Sequence, residues 1–515
     1  MKSTTRRPAP PQVRRALPGL LLGMLLGAVD QTAIAPALPS IASDLGGFGL
    51  MPFVITAYLV AATALMPLYG RLGDRFGRTR PLQAAIALFT VGALAAGQAD
   101  SMTALLIARA VQGAGGGGVM VSVQSALGEL VSPRERGRYL GLFGAVFALA
   151  AVGGPLLGGA VTDALGWRWL FHLYPPLGLA ALVAVTATLR LPRPTARRPV
   201  DAAGALSLAA AVVGLAVLGS APGWPGRPDW AVPAAAALLA GGAAAWAVTA
   251  RRAADPVLPV RLLRERSVGT AVTVAFLVGF ALFGIAAYVP AYVQIALGAS
   301  ASQAGAVMIA LMAGVLVTTV ASGRMITRTG RYRAYPVAGT AVSTAAMAAL
   351  GLLGPDSSPA QVAVLLALLG LGLGLVMQVM TLVAQNAAPR ADLGAATAAV
   401  VFWRQVGASA GAALTGALVN LRFAAQLPAE TAARVGGASA LSPEAAAALA
   451  PADRAAVAAA FGEAVPPLFA WAAPLMGLAV LLCAALPALP LRETAHASET
   501  SPDTGNTGNE TEESS

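Results

Sequence analysis

Asp30 and Arg109 are the residues with the most chemistry to offer. They lie inside long apolar runs, in LLGAVDQTAIAPALP and LLIARAVQGAGGGG. A charge at the centre of a lipid-embedded helix costs at least ~2.5–3.5 kcal/mol, so each requires a reason to be there. Burial favours the neutral form of a carboxylic acid, and a nearby cation favours its anion. An acid that alternates between those surroundings can load and release a proton. The competing reading makes Asp30 a satisfied structural acid and leaves the proton to Glu129 or Asp163. Arg404, in FWRQVGASAG, is a third charge within an apolar run, read as either a cavity residue or a helix-packing one. A different chemistry is written in GRLGDRFGRTR, Gly70 to Arg80, where five of eleven residues are charged in a chain that is only 11% charged overall. Asp74 there could accept charge-assisted bonds from arginines or from a helix N-terminus. Gly70 and Gly77 would allow the loop a tight turn and a close approach.

Other chemistries find no support. The chain has one cysteine, Cys483, and two histidines. No cluster of His, Cys and carboxylates suggests a metal or a nucleophile, and no G-x-x-x-x-G-K-[ST] loop suggests a nucleotide. We therefore expect no catalytic residues, no metal, no cofactor and no enzyme activity. The formal charge of +11 does not point to nucleic acid, because the cations are scattered singly between apolar runs.

The elements that must position these residues are membrane spans. Of 515 residues 57% are hydrophobic, and the mean hydropathy is +0.71. A lipid core of ~30 Å asks for ~20 apolar residues per helix. Runs near 17–38, 52–70, 81–99, 103–127, 138–161, 169–189, 203–221, 231–250, 268–296, 303–323, 335–354, 360–384, 396–419 and 466–489 qualify, which makes fourteen. The first is too long for a signal peptide and is expected to remain as a span. With the N-terminus inside, cytoplasmic segments hold 27 Lys and Arg and outer segments hold 5. That bias predicts a multi-pass protein of the cell membrane with both termini cytoplasmic. Residues 421–465 read as an outer loop with a pair of surface helices, one starting at Ser442 and Pro443. Residues 492–515, rich in Ser, Thr, Glu and Asn, read as a disordered tail.

The chain also repeats itself. GRMITRTGRYR, Gly323 to Arg333, matches GRLGDRFGRTR at six of eleven positions, 253 residues on. Gly137 and Gly394 each open a span, 257 apart, and Gly154 and Gly159 correspond to Gly411 and Gly416 at the same offset. Two halves are implied. Six-span halves at 17–190 and 266–491 fit, with 1–16 a cytoplasmic N-terminus and 191–265 holding cytoplasmic linkers and two inserted spans. Both loop copies fall on one side, so the halves are parallel repeats about an axis along the membrane normal, an arrangement of transporters. The second copy has Thr327 in place of Asp74.

Over residues 15–490 the chain resembles the major facilitator superfamily, and within it the fourteen-span drug:proton antiporters. The superfamily loop pattern G-x-L-x-D-R-x-G-R matches Gly70, Leu72, Asp74, Arg75, Gly77 and Arg78. The fourth-span pattern R-x-x-Q-G-x-G matches Arg109, Gln112, Gly113 and Gly115. The fifth-span exporter pattern G-P-x-x-G-G matches Gly154, Pro155, Gly158 and Gly159. DQTAIAPALP and WRWLFHLYPPLG keep the remaining two patterns in part, with Pro36 and Tyr174 among the departures.

The resemblance implies an all-α polytopic fold of two six-helix bundles plus two inserted central helices. It implies proton-coupled export, by alternating access, of amphipathic and cationic drugs or antibiotics, with solute uptake by symport as the alternative. Asp30, Arg109, Gln112 and Arg404 become proton-coupling or substrate residues. Gly70, Asp74, Arg75, Gly77 and Arg78 become a conformational latch. The small residues of the fifth span, kinked at Pro155, become a seal against the partner half. The implied partners are a small-molecule substrate, protons and the lipid bilayer, with the protein a monomer.

Overall fold

A computed structural model describes residues 11–46, 50–191, 201–221, 228–286, 288–354, 357–428, 430–431, 446–487 and 489–491. Among these residues the regular structure is entirely helical. Fourteen long helices follow in order: α1 Pro11–Ala33, α2 Met51–Phe76, α3 Thr79–Gly97, α4 Met102–Leu130, α5 Pro133–Leu165, α6 Tyr174–Thr188, α7 Ala202–Ser220, α8 Ala231–Arg252, α9 Arg266–Ala286, α10 Ala301–Thr329, α11 Ala334–Leu350, α12 Pro359–Ala387, α13 Leu393–Gln426 and α14 Pro466–Ala484. Eleven helical segments are long and apolar enough to cross a membrane, and two shorter apolar ones lie in α9 and α11. The remaining helix, α13, is more polar and carries Arg404, Gln405, Asn420 and Arg422.

Local chemistry sets many of the ends. Ser101 caps α4 by accepting from the N–H of Ala104. Ser300 with Gln303, and Ser358 with Gln361, form complete capping boxes on α10 and α12. The turn after α2 needs Gly77 at φ 82°, and the turn after α10 needs Gly330 at φ 68°. These are the same position in the two copies of the repeated motif, and both demand the left-handed backbone that glycine tolerates.

The motif is less of a loop than the sequence suggests. Gly70 through Phe76 belong to α2, and α3 resumes at Thr79. Only Gly77 and Arg78 lie outside helix. Gly70 is therefore not a turn residue but a contact surface.

Helix packing repeats with a shift of eight elements. In the first half α1 packs on α4, α5 and α6, α2 on α4, and α3 on α4 and α6. In the second, α9 packs on α12, α13 and α14, α10 on α12, and α11 on α12 and α14. The two principal contacts between halves, α2 with α13 and α5 with α10, exchange under the same shift. The inserted α7 and α8 pack together, and α7 rests against α2 and α13.

Glycines allow this density. A Cβ on Gly113 or Gly117 of α4 would strike backbone of Tyr58 or Ala62 in α2, and one on Gly115 would strike Phe89 in α3. The equivalents 257 residues on behave alike. Gly370 and Gly374 of α12 press on Leu311 and Val315 of α10, and Gly372 presses on Gly339 and Ser343 of α11. With lipid on the outside there is little hydrophobic force between spans, so such backbone proximity supplies the packing energy.

Two expectations need revision at the C-terminal end. The span expected to stop at 419 continues to Gln426 before α13 ends. Of the two surface helices expected in 421–465, one is Pro451–Ala464, which leads directly towards α14. The start at Ser442 and Pro443, and the tail from 492, lie outside the described residues.

Candidate functional site

Three groups of polar residues stand out. The first is an ion pair inside the first half. Asp30 on α1 and Arg109 on α4 are each 1% exposed. Arg109 Nη1 donates to both carboxylate oxygens of Asp30, at 2.8 and 3.0 Å, and to Gln112 Oε1 at 2.8 Å. Gln112 Nε2 donates in turn to Asp30 at 2.9 Å, and Arg109 Nε donates to the carbonyl of Val54 at 3.3 Å. The guanidinium lies 4.5 Å from the centre of the Tyr58 ring and 5.8 Å from that of Phe171. The sequence nominates Asp30 and Arg109 separately, as two charges inside two apolar runs. In the structure they neutralise each other inside the first bundle, closed in by aromatic rings, because neither charge is tolerable there alone.

The second group lies between the halves. A cavity is bounded by α1, α2, α4 and α5 on one side and α10, α12 and α13 on the other. Its polar lining is Gln31, Thr319, Gln378, Arg404 and Gln405. Met24, Met66, Met120, Met377 and Phe147 supply much of the apolar lining. Gln31 directly follows Asp30, so the buried pair stands one residue behind the cavity wall. Of Asp30, Arg109, Gln112 and Arg404, the residues assigned to proton coupling or substrate, only Arg404 lines this space. The methionines gave no sequence signal, since Met in an apolar span is usually packing.

The third group ties the halves together at the end carrying the repeated motifs. Asp74 Oδ1 accepts from the N–H of Gly394 and Oδ2 from that of Ala395, both at 2.9 Å. These are unsatisfied donors in the first turn of α13, so a carboxylate of one half caps a helix of the other. Arg78 donates to Asp74 at 2.5 Å and to Glu129 at 3.3 Å. Arg71 reaches Asp392 at 2.9 Å and Asp255 at 3.2 Å, Arg261 reaches Asp392 at 2.8 Å, and Arg390 reaches Glu129 at 3.6 Å. Four acids and four arginines thus interlock α2, α4, the start of α13 and the linker after α8. Arg75 is not among them: it turns onto the ring of Phe76, 4.9 Å away. Asp255, Asp392, Arg261 and Arg390 were not nominated from sequence, because each looks like an ordinary end-of-span charge, and Glu129 was nominated only as an alternative proton carrier.

The glycine pairs beneath these ions explain why the motif occurs twice. A Cβ on Gly70 would lie 2.6 Å from that of Ala398 and 2.7 Å from the carbonyl oxygen of Gly394. In the other copy Gly323 meets Gly137 in the same way. Gly70 and Gly323 are repeat equivalents, as are Gly394 and Gly137, so each motif seats its helix against the opposite half. Only the first adds an acid. Thr327, at the position of Asp74, turns its hydroxyl back to the carbonyl of Gly323 at 2.9 Å.

The small residues of α5 divide between two neighbours. Gly137, Gly141 and Gly144 face α10, reaching Gly323, Ile326 and Thr319. Gly154 and Gly158 instead face α1, where a Cβ would collide with Thr32 and Ala33, and Thr32 Oγ1 donates to the carbonyl of Ala150 at 2.8 Å. Gly159 approaches Pro36, and Pro155 is exposed within a helix that continues to Leu165. The contact with the partner half is therefore made by the first three glycines, while the G-P-x-x-G-G segment locks α5 to the end of the helix that holds Asp30.

Comparison with known proteins agrees with this architecture. A family model described as Major Facilitator Superfamily matches residues 20–412. An uncharacterized MFS-type transporter of Mycobacterium tuberculosis is 39% identical over 78% of this chain and 58% of its own length. The chain thus spans under two thirds of that relative. The multidrug transporter protein MdtP of Bacillus subtilis is 31% identical over 78% of this chain and 75% of its own. Among solved structures, the human organic anion transporter MFSD10 superimposes with a TM-score of 0.62 over 92% of this chain and 100% of that one. At 17% identity that likeness speaks to the fold alone.

Proposed function

The chain belongs to the major facilitator superfamily, and from that premise we propose that it is a multi-pass membrane transporter that exports amphipathic compounds in exchange for protons. One observation carries the reading: the buried Asp30–Arg109–Gln112 group adjoins the central cavity through Gln31. A group that binds a proton and a space that binds a substrate share one helix, α1, so filling one can alter the other. Multidrug relatives support a drug-like substrate. The methionines of the cavity suit varied apolar shapes, being flexible and polarisable.

In this reading the molecule spans the cell membrane fourteen times as a monomer, with two six-helix halves and both termini in the cytoplasm. The Asp74 network is a cytoplasmic latch, closed in this structure, and Gly70, Gly77 and Arg78 belong to it. Export requires that latch to open, admit substrate from the cytoplasm and close again. Symport on the same fold has no observation of its own in its favour.

The test is transport by the full chain in proteoliposomes. Amphipathic dyes should accumulate against their gradient when a proton gradient is imposed, and accumulation should vanish when nigericin collapses it. Movement indifferent to the proton gradient would defeat the proposal. Orientation is checked separately. In a Cys483→Ser background, Ala455→Cys on the exposed face of Pro451–Ala464 should react with an impermeant maleimide on intact cells, and Thr329→Cys at the exposed end of α10 should not. The reverse pattern would invert the topology.

A further inference from the structure

The fully buried arginines among the described residues have acceptors, and the half-buried Arg404 does not. Arg71, Arg78, Arg109 and Arg136 are each held by carboxylates, carbonyls or both. Arg404 lies in α13, within the span, and makes no hydrogen bond or ion pair among the described residues. Its Nη1 is buried without a partner, as is Oε1 of Gln378 across the cavity on α12. No Asp or Glu lines that cavity. An uncompensated guanidinium is costly at this depth, and intramembrane charges of this kind mark substrate pathways.

We propose that Arg404 is the anchor for an anionic group of the substrate, so that this transporter favours amphipaths carrying a carboxylate or a similar oxyanion. The proposal rests on the export reading and narrows its substrate class. The guanidinium presents a planar fork suited to bidentate capture of such a group. Gln31, Gln378 and Gln405 add neutral hydrogen-bonding groups around it, and the methionines and Phe147 receive the apolar body. A cationic substrate, expected from the resemblance alone, would meet a like charge here and find no carboxylate to answer its own. An inside-negative membrane potential would also favour the outward passage of an anion over that of a cation.

Three probes with one apolar body separate the possibilities: 1-pyrenebutyrate, its neutral amide, and the trimethylammonium analogue. Binding to the full chain in nanodiscs is read by energy transfer from tryptophan to pyrene. The wild type should bind the carboxylate about tenfold tighter than the amide, a difference of ~1.4 kcal/mol, and the ammonium probe most weakly. Arg404→Gln should remove the preference by weakening the carboxylate alone, and Arg404→Lys should keep part of it. Equal or tighter binding of the ammonium probe to the wild type overturns the proposal without any variant having to fold. A carboxylate preference that survives in Arg404→Gln overturns the role of Arg404. Ranked binding without proton-driven accumulation of any probe would defeat the export reading and leave the anion site standing. Accumulation without ranking would do the opposite.

Discussion

Asp30→Asn is expected to abolish proton-driven accumulation of substrate in proteoliposomes while leaving substrate binding within a few fold of the parent. The asparagine keeps the shape of the side chain but cannot titrate, so the exchange of a proton for substrate loses its carrier. The geometry adds a second consequence. Arg109 gives two of its bonds to Asp30, and both residues are almost fully buried. Removing one partner of a buried pair leaves the other charge uncompensated, at a cost of about 3–5 kcal/mol. The single variant should therefore also unfold at lower temperature in detergent.

Loss of transport through loss of fold is separated from loss of coupling by the double variant Asp30→Asn with Arg109→Gln. It removes both charges, should recover most of the thermal stability, and should remain uncoupled. Asp30→Glu should keep partial activity with a displaced pH profile. Substrate-induced proton release from the purified protein reads the coupling directly. If the double variant is stable and still releases protons and concentrates substrate, Asp30 is structural. Glu129 is a poor substitute carrier, being engaged by Arg78 and Arg390 at the latch, and Asp163 is exposed near the end of α5. Either would then have to be tested in its own right.

How much of this was legible in the sequence depends on the kind of signal. Helices, halves and the inserted pair follow from apolar run lengths and an offset of 253–257, because lipid forces the backbone into helix and a repeat preserves spacing. The charged residues inside spans were also visible, since composition makes them rare. Their partners were harder. Asp30 and Arg109 are 79 residues apart, and nothing in either run says that they face one another rather than a shared cavity. The stripe of small residues in α5 reads as a single face on a helical wheel. Only the packing reveals that its first part meets α10 and its second part α1. The acids and arginines that complete the latch were hidden by their ordinariness, each being one more charge at the end of a span.

The second large effect is expected from Asp74→Asn. In the closed arrangement the Asp74 carboxylate accepts the N–H groups of Gly394 and Ala395 across the boundary between halves and also pairs with Arg78. The amide retains one acceptor oxygen and turns an NH2 towards the remaining donor, so at least one cross-boundary bond and the charge opposite the helix N-terminus are lost. Hydrogen bonds to charged groups contribute about 1.5–3 kcal/mol each. Because each 1.4 kcal/mol is a factor of ten, the balance between closed and open should move by about ten- to a hundredfold. Arg71 keeps Asp392 and Arg78 keeps Glu129, so the variant should still fold and insert. Turnover should fall, since a transporter that cannot hold one end shut returns its substrate to the side it came from. The shift is measurable without a substrate. Thr397 is buried on α13 and hydrogen-bonded to Gln385, whose other amide bond reaches Gln124 in the opposite half. A cysteine there, in a Cys483→Ser background, reports opening by its rate of maleimide labelling. That rate should rise at least about tenfold in Asp74→Asn. Unchanged labelling together with normal efflux would reduce the acid to a local stabiliser of α13, and would leave the glycine pairs Gly70–Gly394 and Gly323–Gly137 to hold the halves together on their own.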